Sequence, residues 1–293
     1  MKLVKNILTD ENFLFSEHTT YGLGGHAKVA YFPETEEAAT EIFKFVNCNF
    51  EKSLILGNGS NVLASDKFYD GAVICTAKLD SISYNEDVLN CQSGVTVKKL
   101  LNFCVENGLS GLEYLAGIPA SIGGLIYMNG GINCRHLGED VLAVSIYDGN
   151  LRKISNENCY FGNKHSIMRD INAIILNVDL KTVSDDPIRI KKNIEYFLSL
   201  RKIQPKGKSC GCVFKNPKNL SAGRLIDEAG LKGLSFGGAY VSSEHANFII
   251  NNGATPNEIY SLIREVKSRV YARFGITLDE EVIYIGEFNG TDG

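Results

Sequence analysis

The stretch LILGNGSNVL, residues 54–63, ends a short apolar run in a turn built on Gly57 and Gly59. Glycine permits a tight turn and close approach of backbone, and consecutive N–H groups in such a turn can face one anion. Ser60 and Asn61 add side-chain donors. The spacing is neither G-x-G-x-x-G nor a P-loop, since no Lys follows. Alone it is equally the reading of a plain strand-end turn. A second stretch changes the balance. AGIPASIGGLIYMNGG, residues 116–131, crowds Gly117, Gly123, Gly124, Gly130 and Gly131 together, and Pro119 and Ser121 stand where a helix can begin. A helix N-terminus favours phosphate. Two small-residue surfaces suit a long diphosphate-bearing cofactor; the competing reading of the second is tight helix packing.

Around these stretches the pattern alternates. Residues 34–48 have helical periodicity, with Ala38, Ile42, Phe45 and Val46 on one side. Residues 71–77 read as a buried strand, and 81–94 as two strands turning at 85–87. Residues 96–111 form a helix that Thr96 caps and Gly108 ends. Residues 143–155 are a hairpin, 173–183 a long strand, and 185–205 a helix with Pro187 near its start. Strands at 212–214, 238–241, 247–250 and 282–285 then alternate with helices at 221–229 and 256–274. The whole is an α+β chain.

Composition bounds the function. The chain has 293 residues and a formal net charge of −4, which excludes a nucleic-acid-binding surface as its organising feature. The N-terminus lacks the pattern of a signal peptide, and no apolar run of about 18 residues occurs, so no membrane span is expected. Eight cysteines at 48, 75, 91, 104, 134, 159, 210 and 212 read as free thiols of a reducing cytoplasm. No C-x-x-C and no His pair at ligand spacing is present, so no metal site is expected. A disulfide between Cys210 and Cys212, two positions apart, would be badly strained.

The motifs LGNGSN, GIPASIGGLIYMNGG, GCVFKNP, AGRLIDEAGLKG, SSEHANFIIN and LDEEV, in that order, resemble the UDP-N-acetylenolpyruvoylglucosamine reductases. The resemblance runs from about residue 18 to about residue 286 and points to the shorter, type II form. It implies a two-lobed FAD-binding unit of the vanillyl-alcohol-oxidase (PCMH) type over residues 1–187, with lobes of about 1–75 and 76–187. An α+β substrate-binding domain over 188–293 follows, its last strand returning to the FAD lobe. The implied reaction is reduction of an enolpyruvyl UDP-N-acetylglucosamine to UDP-N-acetylmuramate, for peptidoglycan synthesis. NADPH is the hydride donor and FAD the carrier, in a bacterial cytoplasmic monomer with small-molecule partners only.

The resemblance assigns residues in turn. Leu56, Gly57, Asn58, Gly59, Ser60, Asn61 and Val62 would bind the flavin, as would Gly117, Ile118, Pro119, Ser121, Ile122, Gly123 and Gly124. Met128, Asn129, Gly130 and Val178 complete that set. Arg201, Asn216, Lys232, His245 and Asn247 would bind the substrate. The proton donor, a Ser or Cys in the family, is Cys212, with Cys210 as filler beside it. A thiol with a reference pKa of about 8.5 gives up a proton more readily than a hydroxyl. Glu281 of LDEEV is the acidic partner; a solvated acidic turn suits Asp279 and Glu280 better than Glu281.

The family's enolate-stabilising Arg aligns with Lys164 in CYFGNKHSIM, residues 159–168. Lys keeps the charge and loses the planar fork. Ile203 replaces the usual Lys before Gln-Pro, and NGGIN at 129–133 replaces the usual N-A-G-A-Y. Two other readings remain: a diverged FAD-binding paralogue with another acceptor, and a flavin- or nucleotide-sugar-binding protein without catalysis. Cys212, Asn216 and Glu281 speak against the last, because a binder needs neither acid nor carboxylate.

Overall fold

The computed structural model describes residues 8–132 and 135–288; Asn133 and Cys134 lie outside them. The described chain divides into two compact units. The first takes the chain up to Glu11, Val29–Asn58 and Gly71–Lys202; the second takes Asn12–Lys28, Gly59–Asp70 and everything from Ile203.

In the first unit an antiparallel five-stranded sheet runs Leu151–Ser155, Val141–Tyr147, Ile174–Lys181, Val88–Gln92, Ile82–Asn85. A four-stranded sheet orders Leu8–Asp10, Ala27–Phe32, Tyr69–Cys75 and Ser53–Leu56, the last two in parallel. The unbroken apolar triplet Ile174–Leu176 at the start of strand Ile174–Lys181 has a reason. Its pairing with Val141–Tyr147 slips between Ser145 and Ile146, and a bulge reverses which face a side chain takes. Ile174 and Leu176 therefore pack with helix α1 (Glu36–Asn49), while Ile175, Val178 and Leu180 pack in the larger core. That core also receives α2 (Val97–Asn107) and α3 (Ile122–Met128).

The helices form where their caps and stripes are. Thr35 caps α1, but its buried face is Ala39, Ile42, Phe43 and Val46, so Ala38 and Phe45 sit one position off the expected stripe. Phe45 instead packs edge-on to Tyr31 and Phe50 at the rim. Thr96 caps α2 through the Lys99 N–H, and Gly108 ends it in the left-handed region at φ 63°. Val97, Leu100, Leu101 and Cys104 give the i, i+3, i+4, i+7 stripe. Glu86 and Asp87 both have positive φ, the type I′ geometry that suits a two-residue hairpin. Helix α4 (Pro187–Leu200) closes the unit, capped by Asp186 with Pro187 in its first turn.

The second unit has its own core around α5 (Ala222–Glu228) and α6 (Pro256–Phe274). Thr255 and Glu258 form a capping box, and Gly275 ends α6 at φ 67°. Strands Ser235–Phe236, Ala239–Val241 and Ile249–Asn251 form an antiparallel sheet. Ile283–Ile285 runs parallel to Val62–Ala64. Residues 212–214 are not the expected strand. Cys212 bridges Phe248 and Phe214 bridges Glu280, so the segment is strung between two neighbours without a continuous ladder. No helix among the described residues is long and apolar enough to cross a membrane.

Candidate active site

The first glycine turn is tied to the second within the first unit. A Cβ on Gly57 would collide with the Ser121 hydroxyl, and the Asn58 amide donates to the Pro119 carbonyl at 2.7 Å. The chain passes into the second unit at Gly59, whose φ of 58° and contact with the His18 carbonyl leave no room for a side chain. Packing against the Ser121 side chain and the His18 backbone therefore accounts for Gly57 and Gly59 without a ligand. What it does not use are donors. The N–H groups of Asn58, Gly59, Ser60 and Asn61 make no hydrogen bond among the described residues. This is the donor set a diphosphate needs.

The helix start at Ser121 differs from expectation. The Ile122 N–H donates to Val95 (2.8 Å), that of Gly123 to Ser93 (2.7 Å), and that of Gly124 to the Ser121 hydroxyl (3.3 Å). No N–H of this first turn is left for phosphate. A Cβ on Gly123 would press on Ser93, so tight packing accounts for that glycine. Of the apolar members of the expected flavin set, Leu56, Ile122, Met128 and Val178 have buried side chains, whereas Val62 and Ile118 are half-buried. The Gly130 N–H is spent on Leu125. The Arg201 side chain lies over Gly117.

Lys164 occupies the tip of a two-residue turn. Gly162 and His165 exchange backbone hydrogen bonds (2.9 and 3.4 Å), and Lys164 takes φ 55° between them. A non-glycine residue there costs about 1 kcal/mol, so neighbours must hold it. Arg169, which the sequence did not single out, donates from Nη1 to the Lys164 carbonyl at 2.7 Å.

In the second unit, Cys212, Cys210 and Glu281 belong to one cluster. Glu281 donates its N–H to Val213 at 2.7 Å, and its carbonyl receives the Asn61 amide at 2.9 Å. Burial pushes the Cys210 thiol up to about 12; Glu281 and Cys212 add to the rise while Tyr21 opposes it. Cys212 is partly exposed. Among the described residues the Tyr21 and Tyr284 hydroxyls are buried with no partner of strict hydrogen-bonding geometry, although Tyr21 faces Cys210 and Tyr284 faces Glu280 closely enough to feel their charge. Burial raises both phenols far above their usual value. Glu280 is not a solvated turn residue: it pairs with Lys267 at 3.0 Å and is mostly buried.

The expected substrate residues separate. Asn247 is 3% exposed and its amide bridges the Phe214 backbone: Oδ1 accepts the Phe214 N–H (2.9 Å) and Nδ2 donates to the Phe214 carbonyl (2.8 Å). Its own carbonyl accepts from Val213. It clamps the segment that carries Cys212. His245 accepts the Asn247 N–H on Nδ1 at 3.2 Å. Burial lowers its pKa, with Lys232 pushing the same way, and a ring that accepts on Nδ1 carries its proton on Nε2. Lys232 pairs with Asp227 at 2.7 Å. Asn216 accepts the Ala222 N–H on Oδ1 and is itself exposed. Among the described residues no group of three or more His, Cys, Asp or Glu is placed to hold a metal ion.

Two family models match the chain: the UDP-N-acetylenolpyruvoylglucosamine reductase C-terminal domain over residues 204–285, and an FAD binding domain over 27–150. The UDP-N-acetylenolpyruvoylglucosamine reductase of Caldicellulosiruptor saccharolyticus is 35% identical, covering 93% of this chain and 90% of its own. That of Clostridioides difficile is 36% identical over 96% of each. The crystal structure of UDP-N-acetylenolpyruvylglucosamine reductase from Thermus caldophilus superposes with a TM-score of 0.82 at 33% identity, covering 96% of this chain and 100% of that one.

Proposed function

The chain belongs to the UDP-N-acetylenolpyruvoylglucosamine reductase family, and from that premise we propose that it reduces the enolpyruvyl group of UDP-N-acetylenolpyruvoylglucosamine with NADPH, through FAD, to give UDP-N-acetylmuramate. The observation that carries this is the family's proton-donor segment, GCVFKNP, set beside Glu281 by the Val213 hydrogen bond. The unspent N–H donors of residues 58–61 fit a diphosphate, which supports FAD as the resident cofactor. When bound, FAD supplies the hydride that reaches the vinyl methylene carbon.

The residues supply the rest. Cys212 gives the proton from Sγ to the carbon that bears the ether oxygen and the carboxylate. Lys164 provides positive charge where negative charge develops on that carboxylate. Glu281 orients a donor on the same side. Arg201 serves the diphosphate, and Asn216, Lys232 and His245 the nucleotide and sugar. Asn247 acts on the Phe214 backbone rather than on the ligand. On this reading the first unit carries most of the flavin residues and the second most of the substrate residues. The protein works as a monomer in the bacterial cytoplasm, where NADPH is at hand.

The test is anaerobic mixing of FAD-loaded protein with NADPH, then with the enolpyruvyl sugar nucleotide. Bleaching of the flavin band followed by recovery is the expected result. Bleaching without recovery indicates a paralogue with another acceptor, and absence of flavin binding removes both enzyme readings.

A further inference from the structure

The turn that presents Lys164 is held from three sides by side chains of its own unit. Asn129, the left-handed residue that ends α3, donates from Nδ2 to the Gly162 carbonyl at 2.9 Å. Its Oδ1 accepts the Gly138 N–H at 3.0 Å, so the amide cannot swing away without losing both bonds. Ser166, fully buried, donates from Oγ to the Tyr127 carbonyl at 3.0 Å. Arg169 donates to the Lys164 carbonyl at 2.7 Å, with its guanidinium 5.7 Å from the Tyr127 ring centroid. The last turn of α3 thus grips the residue before the turn and a residue after it, and Arg169 grips Lys164 itself.

We infer that Asn129, Ser166 and Arg169 are positioning residues for Lys164, fixing its turn so that the ammonium is aimed for the acceptor step. The inference rests on the role proposed for Lys164. Its chemistry follows from the side chain. A planar guanidinium carries its own directional fork, whereas an ammonium on a flexible four-carbon stem takes its aim from the backbone that bears it. The φ of 55° at Lys164 makes that backbone conformation dependent on outside bonds. Asn129 is accordingly a brace through its side chain.

Arg169→Met and Arg169→Lys test this. In Arg169→Met, recovery of the reduced flavin by the enolpyruvyl sugar nucleotide is expected to slow about tenfold or more, while reduction by NADPH stays within about twofold. Arg169→Lys, which can still donate to the Lys164 carbonyl, restores most of the rate. In a Lys164→Ala background, Arg169→Met has no further effect, because its action passes through Lys164. An equal loss in both backgrounds, or an equal loss in both half-reactions, overturns the inference. Amide hydrogen exchange over residues 162–166 gives a readout independent of turnover, with faster exchange expected there in Arg169→Met and unchanged exchange elsewhere. If the unmodified protein reduces no enolpyruvyl sugar, the proposed function falls. Exchange then decides the brace alone: unaltered exchange at 162–166 contradicts it.

Discussion

Burial separates the two neighbouring thiols: Cys212 is partly exposed and Cys210 is buried. Cys210, its thiol pushed up to about 12, stays protonated at any physiological pH and is expected to resist alkylation at pH 8 in the native protein. Exposed Cys48 reacts first, which mass spectrometry of alkylated peptides reads directly. At Lys164 the expectation is set by geometry: Lys164→Arg keeps or raises the rate of the acceptor step, by up to about tenfold, since the fork restores directional bonding. A collapse in that variant means the turn has adapted to an ammonium. His245 carries a pH dependence with a definite sign. Its folded pKa lies below the unfolded value, so the unfolded chain binds more protons just below about pH 6.5 and stability rises with pH through that window. Denaturant titrations at pH 5 and 7.5 should show this slope, and His245→Gln should flatten it. The Nδ1 atom that accepts the Asn247 N–H must stay unprotonated to do so.

Among elements, the segment 212–214 depends on its neighbours because it has no ladder of its own. Asn247→Ala leaves the buried N–H and carbonyl of Phe214 without partners, a loss of about 2–5 kcal/mol in urea denaturation. Little loss would mean that water replaces the amide. Helices and hairpins were legible in the sequence where local chemistry sets them. Thr96 and Gly108 bound α2, and Thr255, Pro256 and Gly275 bound α6. The phase of α1 was not, because Phe45, only partly buried, packs edge-on against core Tyr31 and against Phe50 from outside the buried stripe. Nor was the loss of phosphate-binding capacity at α3, since the acceptors of its N–H groups, Val95 and Ser93, are remote in sequence.

For the whole molecule, the motifs made the family legible, and the relatives bear that out along nearly the full chain. The roles of polar side chains were less so. Asn61 and Asn247 read as ligands in sequence, yet each donates its amide to backbone of the second unit. Asn129 followed by two glycines could have been read as a helix C-cap, but nothing local marks Arg169. The central claim, that Cys212 is the proton source for a reductase, is tested most directly by following both half-reactions in Cys212→Ala and Cys212→Ser under anaerobic conditions. The account predicts normal bleaching by NADPH in both variants, no recovery with the enolpyruvyl sugar nucleotide in Cys212→Ala, and partial recovery in Cys212→Ser. Full recovery in Cys212→Ala, or equal loss of both half-reactions, would contradict it.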